Sequence, residues 1–141
     1  FVELGGEVFA YGLHPKGRPW TVGIERPVAG ANGFHRTVKL DNEALATSGD
    51  LVNSYLHAGH RYSHIIDPQS QRPSNSALAS VSVFAARAMT ADAFATALYA
   101  MGPMNGPEFA QSHEIAALFL VRDQAWLREV MTHDFTARLG G

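Results

Sequence analysis

Residues 78–102, LASVSVFAARAMTADAFATALYAMG, contain the strongest strand and helix signals of this chain. It opens with an alternation of small and apolar residues around Val81 and Val83, which is typical of a strand buried in a core. Strong helix formers follow over residues 91–101. A buried strand that leads into a packed helix is therefore the framework for the rest of the chain.

The helix carries sequence signals at both ends. Thr90 is a good N-cap, and Asp92 then falls in the first turn, where the helix dipole favours a carboxylate. Gly102 occupies the place of a glycine that ends a helix. A second, short helix is predicted at 107–113, with Pro107 in its first turn.

The other apolar stretches predict strands at 8–12, 20–25, 36–40, 43–49, 51–56, 61–66, 116–121 and 125–130. The Pro- and Gly-containing loop at 13–19 predicts a hairpin between the first two, and two further hairpins join the last two pairs. The Pro- and Ser-rich segment 67–76 is predicted to be a loop. Because strands dominate beside one or two helices, the predicted class is α+β with mostly antiparallel strands.

Composition narrows the function classes. The chain has 141 residues, of which 46% are hydrophobic and 17% charged, as in an ordinary globular domain with one core. The formal net charge is −2 and no two Lys or Arg residues are adjacent, so no nucleic-acid partner is expected. The longest apolar run, at 115–121, is too short to span a bilayer. The absence of cysteine excludes disulfides and thiolate metal ligands.

Asp92 and Thr96 are candidates for a metal site. They lie four residues apart on the predicted helix, so their side chains share one face. A carboxylate and a hydroxyl are hard oxygen ligands that suit Mg²⁺. The alternative is structural: Asp92 would satisfy first-turn amides, and Thr96 would bond back to its own helix.

Two glycine-containing segments could contact a ligand through their backbone. The sequence ATSGD at 46–50 resembles an anion-binding nest, although the same residues also form ordinary turns. The sequence LGG at 4–6 allows another backbone or a flat ligand to approach closely. Neither segment matches a dinucleotide-binding or Walker motif.

Histidines at 57, 60 and 64 raise the question of zinc. His57 and His60 flank the tip of a predicted hairpin, where solvent should surround them, and no H-E-x-x-H helix is present, so zinc is disfavoured. His64 is placed at the end of a strand, on the face of Tyr62 and Ile66. From this pattern alone, His64 is either a structural histidine or a chemical group.

Several motifs, in this order, resemble the ApbE family, the FAD:protein FMN transferases. They are ELGGEVFAYG at 3–12, WTVGIERP at 20–27, ALATSGD at 44–50, RYSHIIDP at 61–68, SVSV at 80–83 and ADAFATAL at 91–98. The ordered set covers most of the chain through about residue 100.

The resemblance implies a T-fold-like α+β domain that takes FAD and Mg²⁺. It implies transfer of FMN to a Thr or Ser hydroxyl of a target protein, with release of AMP. The implied acceptor is a flavoprotein subunit of a membrane electron-transport complex. The implied location is the bacterial periplasm, or an inner-membrane-anchored lipoprotein.

The resemblance also assigns residues to roles. Asp92 and Thr96 match the side-chain ligands of Mg²⁺, and His64 matches the active-site histidine, which favours chemistry over structure at that position. Flavin-nucleotide contacts are implied at Glu3, Gly5, Gly6, Thr47, Ser48, Gly49, Asp50, His64 and Ile65.

This chain departs from the family pattern at two places. Glu3 stands where the family usually has Asp, which keeps the carboxylate and lengthens its reach. After HIIDP the family usually continues with Arg-Thr-Gly-x-Pro, whereas this chain has Gln69, Ser70, Gln71, Arg72 and Pro73. The missing glycine affects the turn, since glycine accepts a positive φ. A phosphate contact from position 69 is also lost, unless Arg72 replaces it.

The start at Phe1, inside an apolar run without a start methionine, has two interpretations: trimmed residues or the back half of a longer chain. Family members are longer and carry these motifs in their second half. We therefore expect residues 1–141 to be the C-terminal portion of one flavin transferase domain. An FAD pyrophosphatase, a non-catalytic flavin-binding module and an interaction domain without ligand remain alternatives.

Overall fold

The computed structural model describes residues 1–30, 33–51, 54–74, 76–124 and 126–139. In chain order its elements are β1 (Val2–Leu4), β2 (Glu7–Phe9), β3 (Trp20–Glu25), β4 (Phe34–Leu40), β5 (Ala44–Gly49), β6 (Ser54–His57), β7 (His60–Ser63), β8 (Ile66–Asp67), β9 (Arg72–Pro73), β10 (Leu78–Ala85), α1 (Ala88–Ser112), β11 (Ala116–Asp123), β12 (Trp126–Met131) and α2 (His133–Leu139). The predicted α+β class with mostly antiparallel strands is confirmed.

A six-stranded antiparallel sheet in the order β1-β2-β5-β10-β11-β12 organises the domain. The predicted core strand at its centre, β10, is buried from Leu78 to Phe84. In β11, the whole run from Ala116 to Val121 is buried. A continuous apolar run of this kind is expected when both faces of a strand are covered.

The two faces of the sheet are covered by different elements. On one face α1 packs with Leu98 and Tyr99 against Val81, Val83 and the strand β11. On the opposite face lie the two-stranded ribbon β3–β4 and the helix α2, whose core residues include Ile24, Val38, Leu40 and Phe135. The domain therefore has three layers, with the sheet in the middle.

The helix α1 begins earlier than the sequence predicted. Arg87 is its N-cap residue, with no side-chain capping bond, and the amide of Thr90 donates to the carbonyl of Arg87 at 3.0 Å. The prediction of Thr90 as N-cap is therefore wrong, and Asp92 lies in the second turn. The polar position at 90 was the stronger sequence signal, but packing of Ala88 and Ala91 against the sheet sets the start.

Gly102 interrupts α1, as predicted, but the helix resumes at once. Its φ of 78° and ψ of −177° are non-helical, and Pro103 follows inside the second half. The predicted short helix at 107–113 is thus the end of a longer segment that reaches Ser112. This segment folds back closely: a Cβ on Gly106 would lie 2.8 Å from the carbonyl oxygen of Leu98.

The predicted hairpin between residues 8–12 and 20–25 is wrong. β2 pairs with β1 and with β5, whereas β3 pairs with β4. The intervening loop contains a local antiparallel bridge between His14 and Arg18. It reverses the chain direction, but the strands on either side of it do not pair with each other. The two strands therefore belong to different layers: β2 is part of the central sheet, whereas β3 belongs to the ribbon that covers one face of it.

The other two predicted hairpins are confirmed as β6–β7 and β11–β12. The turn of the first contains Ala58 and Gly59, with φ of 49° and 80°, a conformation suited to a tight hairpin. Residues 52, 53, 75 and 125 of the predicted strands and loop lie outside the described residues. Sequence reasoning missed β1, α2 and the two-residue strands β8 and β9, which pair across the predicted loop.

None of the helices in the described part of the chain combines the length and apolar character needed to cross a membrane.

Candidate active site

A cleft of about 660 Å³ opens where the β1–β2 turn, β3, the end of β5 and the first half of α1 meet. It collects most of the residues that the sequence singled out: Glu3, Gly5, Gly6, Thr47, Ser48, Gly49, His64, Asp92 and Thr96. Residues separated by more than ninety positions thus share one cavity, which makes it the candidate active site.

The β1–β2 turn forms one wall of the cleft. Gly5 and Gly6 have φ of 67° and 104°, values that favour glycine. The amide of Gly6 donates to the Glu3 side chain at 3.1 Å, so the longer carboxylate closes its own turn. A Cβ at Gly6 would meet no atom within 4 Å, so the backbone there is open to a ligand.

The strand β5 forms the floor and contributes to both faces of the sheet. Thr47 lies opposite Ser82 and Ser48 lies opposite Val81, so these neighbours point to opposite faces. Among the described residues, β2 pairs only with Ala44 and Leu45 of β5. The remaining edge of β5 therefore borders the cleft, with its backbone groups available.

The candidate metal ligands stand on the first half of α1. The carboxylate of Asp92 is exposed in the second turn, beyond the first-turn amides that it would cap. Within the described ranges no group bonds to it. The Thr96 hydroxyl lies 2.9 Å from the Ser48 hydroxyl, which is on β5 rather than on its own helix. Both parts of the purely structural alternative are thus disfavoured.

The donor set at this point fits a small hard cation. Asp92 and Thr96 offer carboxylate and hydroxyl oxygens one helical turn apart, and Mg²⁺ typically takes few protein ligands and keeps waters or phosphate oxygens. The described residues contain no cluster of three or more His, Cys, Asp or Glu suited to a metal. His57 and His60 lie on the β6–β7 hairpin and are exposed.

His64 lies outside regular structure. The predicted strand at 61–66 ends at Ser63, so the expectation that His64 shares a strand face with Tyr62 is wrong. Ser63 and Ile65 are 2% and 7% exposed, whereas His64 is exposed and lines the cleft. The two buried neighbours anchor the backbone at His64, while its imidazole ring remains accessible from the cleft.

Backbone hydrogen bonds hold this bend on both sides of His64. The amide of Ser63 donates to the carbonyl of Ser74 at 3.2 Å, and the amide of Ser74 donates to the carbonyl of Ile65 at 2.8 Å. The Ser63 hydroxyl accepts the amide of Ile65 at 3.1 Å. These bonds replace strand pairing, which explains why the alternation stops here.

Asp50 and Ile65 are not among the residues that line the cleft. Asp50 is 4% exposed and pairs with Arg122 at 2.5 and 2.9 Å. Ile65 packs in the core with Leu98. Burial, followed by the negative charge of Asp50, raises the pKa of the Tyr99 phenol to about 12. Asp50 and Ile65 therefore belong to the buried interior next to the cleft and not to its lining.

The turn after HIIDP keeps a residue in the left-handed backbone region, although this chain lacks the glycine that the family has there. Gln71 has φ of 57°, in the place of the family glycine. Asp67 organises the turn by accepting the amide of Gln69 at 2.9 Å, and hydrogen bonds from Ser70 and Gln69 lower the pKa of Asp67. Arg72 lines a groove beside the break in α1, not the cleft.

Sequence reasoning missed a further set of cleft residues: Glu7, Val8, Val22, Gly23, Ile24, Glu25, Pro27, Leu45, Leu51, Ala79 and Ser80. Most belong to β2 and β3, whose placement depends on pairing that the sequence did not reveal. Gly23 was the available signal, because a glycine inside a strand often marks a close approach of other groups. In the structure a Cβ on Gly23 would lie 2.1 Å from the ring of Phe34.

The fold and the cleft define an α+β domain in which a carboxylate, a hydroxyl and an exposed histidine line one cavity. The model of the ApbE family matches residues 1–119, and the chain belongs to the ApbE family. An FAD:protein FMN transferase of Vibrio cholerae is 38% identical over 134 residues, 95% of this chain and 40% of its own length. That of Escherichia coli K12 is 33% identical over 138 residues, 98% of this chain and 39% of its own.

Solved structures agree with this assignment. The apo flavinyl transferase ApbE of Pseudomonas stutzeri superposes with a TM-score of 0.83 at 39% identity, covering 99% of this chain and 42% of its own. The flavin transferase ApbE of Vibrio cholerae gives 0.83 at 34% identity, covering 96% and 43%. The chain thus spans about 40% of the length of the relatives it matches.

Proposed function

We propose that the protein carrying this chain transfers FMN from FAD to a Thr or Ser hydroxyl of a target protein, with Mg²⁺ and with release of AMP. The observation that carries the proposal is the meeting of His64, Asp92 and Thr96 in one cleft that is walled by the glycine turn of β1–β2. The relatives named FAD:protein FMN transferase support the same reaction.

The chemistry is a displacement at phosphorus. The acceptor oxygen forms a bond to the FMN-side phosphorus of FAD, and the bond from that phosphorus to the bridging oxygen breaks. The bridging oxygen leaves with AMP, and the acceptor hydroxyl loses its proton. Such a reaction depends on alignment and charge neutralisation more than on covalent participation by the protein.

The residues of the chain divide these tasks. The glycine turn, where a Cβ on Gly6 would meet no atom within 4 Å, lets the flavin nucleotide approach the backbone closely, and the edge of β5 from Thr47 to Gly49 offers it backbone groups. His64 is exposed in the cleft and accepts the proton of the acceptor hydroxyl in the proposed reaction. Water has the same access to His64, so release of free FMN is the competing outcome.

Asp92 and Thr96 would hold the cation through one carboxylate and one hydroxyl. Mg²⁺ bound there would neutralise charge on the pyrophosphate. This arrangement accounts for a chain of net charge −2 that handles a pyrophosphate without a basic patch.

The deciding experiment incubates the whole protein with FAD, Mg²⁺ and a candidate acceptor domain, followed by intact mass measurement of the acceptor. A mass increase equal to one FMN, together with AMP in solution, is the expected result. Asp92→Asn should abolish the increase, whereas Glu108→Gln, an exposed acid on the second half of α1, should not. Free FMN with an unmodified acceptor would instead identify an FAD pyrophosphatase.

The acceptor and the compartment rest on the resemblance. We propose a flavoprotein subunit of a membrane electron-transport complex as the acceptor, reached in the bacterial periplasm or from an inner-membrane lipoprotein. Fractionation of cells that express the tagged whole protein, with mass analysis of flavin-bearing membrane subunits, tests both points. Recovery of the protein in the cytoplasm alone would contradict the location.

A further inference from the structure

The hydroxyl groups of Ser48 and Thr96 form a bond that joins the floor of the cleft to the helix above it. They lie 2.9 Å apart although 48 positions separate them in the chain. Ser48 is on β5 opposite Val81, on the face that α1 covers, so the strand register aims its side chain at the helix. Thr96 is one turn beyond Asp92 and lines the same cleft.

The position of Ser48 is held tightly by its neighbours. A Cβ on Gly49 would lie 2.8 Å from the carbonyl oxygen of Ala79, so β5 and β10 are in close backbone contact directly after Ser48. On the other face, Thr47 and Ser82 form a comparable hydroxyl pair at 2.8 Å. Adjacent residues of β5 thus form two hydroxyl pairs, of which Thr47–Ser82 joins β5 to β10 and Ser48–Thr96 joins β5 to the candidate metal ligand on α1.

We propose that Ser48 is a positioning residue for the cation site: its hydroxyl accepts a hydrogen bond from the Thr96 hydroxyl and so directs the Thr96 lone pairs toward a cation held beside Asp92. This inference rests on the Mg²⁺ site of the proposed function. It assigns to Ser48 an action through Thr96, distinct from a direct contact with the flavin nucleotide.

The direction of the bond follows from the chemistry of a bound hydroxyl. A cation held by the Thr96 oxygen would draw electron density from it, which would make the hydroxyl a stronger donor and its remaining lone pairs less available. Ser48 is therefore the acceptor. Without Ser48 the Thr96 side chain can occupy other staggered rotamers, and its hydroxyl rotates freely. Partners that orient metal ligands in this way typically contribute about 10- to 100-fold to metal affinity.

The first test measures Mg²⁺ affinity by calorimetric titration of the whole protein, without FAD. Ser48→Ala should weaken Mg²⁺ binding about tenfold, and Ser48→Thr, which keeps an acceptor, should restore it. Ser82→Ala removes the matched pair on the opposite face and should leave Mg²⁺ affinity within about twofold. Thermal unfolding of each variant shows whether it is folded. Equal losses in Ser48→Ala and Ser82→Ala would overturn the proposal.

A double-mutant cycle separates an action through Thr96 from a direct contact. Ser48→Ala should cost about tenfold in the wild type and less than about twofold when Thr96→Val is already present. A full additional loss in the Thr96→Val background would overturn the proposal, because Ser48 would then act independently. Absence of any Mg²⁺ binding by the wild type would also overturn it.

The outcome is independent of the transferase assay. If Mg²⁺ binds with the expected coupling but the acceptor gains no FMN, the reaction is wrong and the role of Ser48 stands. If FMN transfer occurs but Ser48→Ala binds Mg²⁺ as the wild type does, the role of Ser48 is wrong and the reaction stands.

Discussion

Asp50 and Arg122 form an ion pair that links the end of β5 to β11 across the central strand β10. The two guanidinium nitrogens lie 2.9 and 2.5 Å from the two carboxylate oxygens, and the Asp50 side chain is only 6% exposed. Removal of one partner from such a pair leaves an uncompensated charge. Arg122→Met should therefore lower the free energy of unfolding by about 2–4 kcal/mol.

Urea unfolding of Arg122→Met beside Asp123→Asn measures this effect, since Asp123 is the exposed neighbour on β11 and should cost less than about 0.5 kcal/mol. Asp50→Asn should destabilise the fold in the same way while FAD affinity per folded molecule is kept. A selective loss of FAD affinity without loss of stability would instead support the predicted flavin contact of Asp50.

His64→Gln tests the histidine of the cleft. A base that removes the acceptor proton contributes on the order of a hundredfold or more, so the transfer rate should fall by that factor while the melting temperature and FAD affinity are kept. The rise of rate with pH that a histidine base produces should also vanish. His60→Gln, at the exposed β6–β7 turn, is the matched control. A normal rate and pH profile in His64→Gln would return His64 to a structural role.

Glu129 makes the stability of the domain dependent on pH. Burial alone would raise its pKa, but hydrogen bonds from Arg36 and His35 outweigh this, and the pKa of Glu129 is lowered from its ordinary 4.5. A lowered pKa in the folded state means that the contribution is present above pH 4.5 and is lost as the pH falls below it. Glu129→Gln should thus cost about 1–2 kcal/mol at neutral pH and less at about pH 3.

Unfolding in urea at the two pH values, with Glu108→Gln as an exposed control, checks this prediction. An equal cost of Glu129→Gln at both pH values would show that the charge of Glu129 contributes nothing to the link between β4 and β12.

Gln71 keeps a left-handed conformation that favours glycine, with φ of 57°. An L-residue in this region carries a cost of about 1–2 kcal/mol, from which the greater backbone entropy of unfolded glycine must be subtracted. Gln71→Gly should therefore raise the free energy of unfolding by about 0.5–1 kcal/mol. Gln71→Ala should give no gain, and Gln69→Gly should give none either. A destabilising Gln71→Gly would mean that the glutamine side chain itself holds the turn.

Local signals predicted the parts of the fold that are local. The strand β10, the break at Gly102 and two hairpins all depend on neighbouring residues, and the sequence identified them. β2 pairs with β1 and β5 in the central sheet, whereas β3 pairs with the next strand, β4, in a separate ribbon, so the Pro- and Gly-containing loop between β2 and β3 was misleading. The start of α1 followed packing rather than the capping preference of Thr90.

The candidate site divides in the same way. Helical spacing placed Asp92 and Thr96 on one face, and the resemblance to the family added His64 and the segments at 3–6 and 46–50. The contribution of β3 to the cleft was out of reach, because it depends on a ribbon folded over the sheet. The sequence also could not predict that Ser48 is the hydrogen-bond partner of Thr96. The pairing of β5 with β10 decides which of the two adjacent hydroxyls, Thr47 or Ser48, faces the helix.

Thr47 and Ser48 are adjacent in β5 and face opposite sides of the sheet. The number of residues in this strand therefore decides which of the two hydroxyls meets Thr96. A shift of one residue against β10 would exchange the two faces, so the hydroxyl that meets Thr96 would turn to the ribbon side. The close contact of Gly49 with the carbonyl of Ala79 leaves no room for such a shift. Insertions or deletions between residues 44 and 49 should therefore be tolerated far less than substitutions, and sequence variants of this domain should preserve the count of residues there.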